Sequence, residues 1–72
     1  MTELEFKLKP EQAFIELNKV LQILNIAQTG GHAKIMIQNE EVSVNRETET
    51  RVRKKLRKSD LISVGDNKIL IK

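Results

Sequence analysis

The sequence predicts an α+β domain: two N-terminal helices packed on a small antiparallel sheet, in the order β-α-α-β-β-β-β. Three observations carry this. Leu4, Phe6 and Leu8 alternate with charged residues; between Pro10 and Asn39 apolar residues recur at spacings of three and four; from Val42 onward a period of two returns in short runs divided by turn residues. At 72 residues the chain has room for one domain, residues 1–72, in the size range where folding buries only about 60% of the unfolded surface.

The first strand ends at Pro10, which lacks an N–H and so suits the first position of a helix, with Glu11 beside the positive helix end. Phe14, Leu17, Leu21 and Leu24, flanked by Ala13 and Val20, predict an amphipathic helix from Glu11 to about Leu24. Asn25 suits the left-handed conformation at its end, and Ile26 can pack back. Thr29 is the expected N-cap of a second helix that buries Ala33, Met36 and Ile37 and ends near Asn39.

Val42 and Val44 then face inward on a strand, and Thr48, Thr50 and Val52 form a second alternating set. A two-residue loop at Asn45-Arg46 would set Val44 opposite Glu47. A three-residue loop sets it opposite Thr48 and keeps one face weakly apolar, so the longer loop is expected, with Glu49, Arg51 and Arg53 on the solvent face. "RVRKKLRK" has only Val52 and Leu56 as apolar residues, and like charges crowd it, so a strand end followed by a basic, partly irregular connector is expected. Ile62 and Val64 against Ile69 and Ile71, turned at Gly65-Asp66-Asn67, complete the sheet.

Composition narrows the function. Cysteine is absent, which excludes disulfides and thiolate zinc sites and permits a reducing compartment. The N-terminus has no secretory apolar run, and no segment approaches the roughly 18 apolar residues of a membrane span, so a cytoplasmic protein with no membrane partner is expected. Formal net charge is only +3, but positions 46 to 58 hold seven of the thirteen basic residues against two acids. Positive charge is concentrated in one stretch.

The stretch from Thr29 to Val64 resembles the RNA-binding domain first described in small-subunit ribosomal protein S-four, which recurs in pseudouridine synthases, bacterial tyrosyl-tRNA synthetases and a ribosome-rescuing heat-shock protein. Gly30-Gly31, Ala33, Ile37, Val42-Ser43-Val44-Asn45 and Ser59-Asp60 carry the pattern in order, and the "GG.AK..I" and "E.ETR.R.KL" blocks are similar to those of small stand-alone bacterial members. The resemblance implies the alpha-L type of fold, RNA binding, and one continuous surface made by the second helix and the adjacent hairpin. It departs at Glu40, Arg46 and Lys58-Ser59, where the family carries glycine or Pro-Gly; Asn39 or Asn45 is expected to absorb some of the left-handed geometry.

The residues themselves allow that function. Arg51, Arg53, Lys54, Lys55 and Arg57 supply a row of cations for phosphates, and arginine adds a fork of donors. The amides after Thr29, Gly30 and Gly31 can face an anion, with Lys34 one turn further in. Without Trp or Tyr, and with Phe6 and Phe14 on expected core faces, base stacking is not offered, so structured RNA, ribosomal or transfer-like, is the expected partner of a monomeric module, with the ribosome a candidate. His32 and Arg46 have no assigned role. The lone His32 has no placed nucleophile beside it, and the acids Glu40-Glu41 and Glu47-Glu49 read as solvated, so no catalysis, metal or cofactor is expected. Two other readings use the same charges: an adaptor for an acidic or ribosomal protein, and a non-specific duplex DNA binder.

Overall fold

The alternating segments become a five-stranded sheet in a computed structural model that describes residues 2–72. The elements are β1 (Thr2–Phe6), β2 (Ile15–Glu16), α1 (Leu17–Ile23), α2 (Gly30–Gln38), β3 (Val42–Val44), β4 (Glu47–Thr48), β5 (Lys55–Leu56), β6 (Leu61–Val64) and β7 (Asn67–Ile71). The sheet order is β1-β7-β6-β3-β4, and β2 pairs with β5 as a separate two-stranded ladder.

The α+β class holds. The sheet is mixed, however, because β1 pairs with β7 in parallel, Leu4 opposite Ile69. Alternation in a sequence carries no sign of strand direction. Inward residues Val42, Val44, Ile62, Val64, Ile69 and Ile71 meet Leu17, Val20 and Leu21 of α1 and Ala33 and Ile37 of α2 in one aliphatic core, and among the described residues no polar residue is buried.

The first helix is shorter than its periodicity predicts, starting at Leu17 instead of Glu11. Pro10 sits inside a turn closed by Gln12 N–H donating to the Lys9 carbonyl at 2.9 Å. Gln12 Oε1 accepts from Lys9 N at 3.2 Å. Beyond the turn the chain is extended, burying Ile15 and Leu17 while Ala13 is exposed and Phe14 half-buried. Spacings of three and four from Phe14 to Leu24 concealed the short strand Ile15–Glu16, which pairs with β5 immediately before the helix begins.

Both helix ends match the sequence reading. Asn25 has φ 60°, and Ile26 N–H returns to the Leu21 carbonyl at 2.9 Å. Thr29 caps α2, its Oγ1 accepting from His32 N at 3.0 Å.

The β3–β4 connection is the two-residue loop, with Val44 opposite Glu47 and Ser43 opposite Thr48. Asn45 and Arg46 have φ 51° and 72°, the signs a type I′ turn requires. Parity did not decide the register because β4 is an edge strand with both residues exposed, so no buried face is at stake. The Asn45 side chain also fixes the tip, donating to Asp60 Oδ1 and accepting from Leu61 N, each at 3.0 Å.

Candidate functional site

The basic connector is built by being lashed to the start of α1. The first amides of a helix have no intrahelical acceptor, and Glu16 at the cap gives no side-chain bond. Backbone carbonyls of the connector serve instead: Leu17 N–H donates to Lys54 O at 2.9 Å and Asn18 N–H to Val52 O at 3.1 Å. The β2–β5 ladder continues the attachment, Glu16 opposite Lys55 and Ile15 opposite Leu56. Leu56 is fully buried and Val52 half-buried, so the two apolar residues of "RVRKKLRK" anchor the backbone while most of its cations stay outside.

Arg51 and Arg53 are therefore not on a strand face, as the alternation predicts. β4 ends at Thr48, and a turn in which Lys54 N–H donates to Arg51 O at 3.2 Å carries the chain off the sheet edge toward α1. The Glu49 side chain starts that departure, accepting from Arg51 N at 2.9 Å and Arg51 Nε at 3.0 Å through Oε2, and from an Arg51 terminal nitrogen at 3.1 Å through Oε1. These side-chain bonds are the main reason the Glu49 carboxyl is held below the usual glutamate range; its burial opposes the shift, and the Arg51 amide and the Arg51 and Lys54 charges add to it. Arg51 is shifted upward by the same contact. Sequence reasoning missed this partner, although Glu-Thr-Arg spacing was the available signal.

Arg51, Arg53, Lys54, Lys55 and Arg57 line one shallow depression. Lys55 is held with its Nζ 4.9 Å from the Phe14 ring centroid. Arg57 N–H donates to Asp60 Oδ2 at 2.8 Å, which turns the chain into β6. A neighbouring depression is lined by Asn18, Gly30, Gly31, Lys34, Val52 and Arg53. Arg53 belongs to both, so the start of α2 and the connector lie side by side. Arg53 and Lys34 form no ion pair among the described residues.

Thr29 lies at the rim, with its oxygen engaged in the cap. His32 completes the cap from the other direction, Nδ1 accepting from Gln28 N at 3.2 Å. Arg46 is exposed at the hairpin tip and lines neither depression. Asn18 was not a sequence candidate, since a polar residue early in a helix carries no signal of its surroundings.

No carboxylate is among the residues lining the two depressions, and their side-chain polar groups are cationic apart from Asn18, an arrangement suited to phosphate oxygens. Among the described residues no helix is long and apolar enough to cross a membrane, and no three His, Asp or Glu residues cluster as a metal site. A family model described as S4 domain matches residues 7–72. No curated protein matches the chain.

Proposed function

The chain belongs to the S4 domain family, whose domains are generally RNA-binding rather than catalytic, and from that premise we propose that it is a module for structured RNA, ribosomal or transfer-like, working in the cytoplasm. Its contacts run through Arg51, Arg53, Lys54, Lys55 and Arg57 of the connector and through Thr29, Gly30, Gly31 and Lys34 at the start of α2. The observation that supports this reading most is Arg53 lining both depressions, which makes the cations of two elements neighbours on one surface.

Phosphate contact without stacking aromatics favours recognition of shape over sequence. Affinity for duplex-containing RNA should fall steeply with salt, and Arg51→Glu with Arg53→Glu should weaken binding across RNA sequences. Unchanged affinity in that double variant would refute the site. A pull-down of partners that survives ribonuclease would instead favour an acidic protein partner, and equal affinity for RNA and DNA duplexes of one length would remove the preference for RNA.

A further inference from the structure

β1 ends the five-stranded sheet on one side, with β7 as its neighbour. Thr2 N–H donates to the Asp66 carbonyl at 2.8 Å, the Phe6 carbonyl accepts from Lys72 N–H at 2.8 Å, and Leu8 N–H donates to the Lys72 carbonyl at 2.7 Å. Backbone groups alternate in direction along a strand, so those of the even-numbered residues face β7 and those of Glu3, Glu5 and Lys7 point out along the open edge. All three residues are exposed. The opposite edge, β4, is two residues long, whereas β1 has five, and an unpaired edge of that length is a template for another strand.

The charges on this edge are self-complementary. From Glu3 to Lys9 the chain reads ELEFKLK, with the acids and the lysines placed symmetrically about Phe6. With a second copy antiparallel and Phe6 opposite Phe6, Glu5 of each copy stands opposite Lys7 of the other, Glu3 opposite Lys9 and Leu4 opposite Leu8. Sliding one copy by two residues sets Glu5 opposite Glu5 or Lys7 opposite Lys7, and like charges directly opposite are destabilising. Backbone parity agrees with the favoured register: Glu5 and Lys7 exchange N–H to carbonyl bonds, and Phe6 falls at the non-hydrogen-bonded position between them. Lys9 contributes its side chain alone, because Gln12 already holds its N–H at 3.2 Å and its carbonyl at 2.9 Å. Leu4 and Phe6 are only half-buried against the core, so a strand laid beside them covers apolar surface too.

We propose that a second copy of this chain docks on the open edge of β1, antiparallel and centred on Phe6, so that two sheets run on as one in a two-fold symmetric dimer. The dimer takes the place of the monomer expected from the sequence, and its symmetry closes the contact after two copies. Glu5 also meets Lys72 of its own chain at 2.8 Å, but both side chains are at least half exposed, and such a surface pair leaves the carboxylate open to Lys7 of the other copy. The inference is independent of the RNA reading.

Sedimentation equilibrium of the full chain across a concentration series, with the melting temperature of each variant, tests this. The wild-type average mass is expected to rise from 8.3 kDa toward twice that value as concentration increases. Glu5→Lys and Lys7→Glu should each weaken dimerisation by at least about tenfold, since each sets like charges opposite one another at both symmetry-related positions. Both changes in one chain restore opposite charges in the same register and should bring the dissociation constant back to the wild-type value. Lys7→Glu leaves the Glu5–Lys72 pair untouched, so it decides if Glu5→Lys lowers the melting temperature.

A wild-type mass of 8.3 kDa at every concentration up to roughly millimolar would overturn the proposal. So would a dimer indifferent to the single reversals, or one that the double reversal does not recover. Hydrogen exchange adds a direct readout of the joint: the Glu5 and Lys7 amides should exchange more slowly in the dimer than in dilute monomer. Unchanged exchange at those two amides in a dimeric sample would put the contact on another surface and refute the β1 joint.

Discussion

Glu40, Arg46 and Ser59 have φ of 64°, 72° and 77°, a region in which a side chain costs about 1 kcal/mol. All three stand where the sequence departs from glycine, and Asn45 shares the burden as expected, whereas Asn39 at φ −84° does not. Arg46→Gly, which creates the Asn-Gly pair favoured by a type I′ turn, should stabilise the fold by up to about 1 kcal/mol in urea denaturation, less the entropy glycine adds to the unfolded chain.

A second residue-scale prediction concerns Glu49, whose folded pKa lies below its unfolded value. Its pairing with Arg51 therefore stabilises the fold above the unfolded glutamate value, about pH 4.3, and the contribution is lost as pH falls through the lower folded value. Glu49→Gln should flatten that part of the pH–stability profile; an unchanged acid limb would show that other carboxyls set it.

At the scale of elements, two short attachments hold the surface in place. Thr29→Ala removes the α2 cap and should cost about 1 kcal/mol in stability. Leu56→Ala should cost about 2–5 kcal/mol, since its side chain is fully buried at the β2–β5 ladder. It should also accelerate hydrogen exchange at Leu17 and Asn18, whose amides depend on the connector carbonyls.

The same elements show what the sequence makes legible. The α2 limits follow from Thr29, the paired glycines and the turn after Gln38, all local signals, and the irregular connector follows from its poverty in apolar residues. The late start of α1 was hidden because Ile15 belongs to a ladder with Leu56, forty-one positions away, and local periodicity cannot report such a pairing. The turn at Arg51 to Lys54 was hidden for the same reason: the chain leaves the sheet to satisfy the orphan amides of α1.

Across the molecule, charge is divided between surfaces. The outer sheet face holds a depression lined by Glu3, Leu4, Glu5, Leu61, Lys68 and Leu70, with acids and a lysine mixed among leucines and Glu5 paired with Lys72 at 2.8 Å. The two depressions joining α2 to the connector have cations and no acid among their lining residues, although Glu49 is held against Arg51 at 3.0 Å beside them. The most direct measurement is an amide-resolved NMR titration with a duplex-containing RNA. Resonances of residues 30–34 and 51–57 should shift together at one stoichiometry while Glu3 and Lys68 stay still; shifts confined to the outer sheet face, or to one of the two segments alone, would contradict a single shared surface.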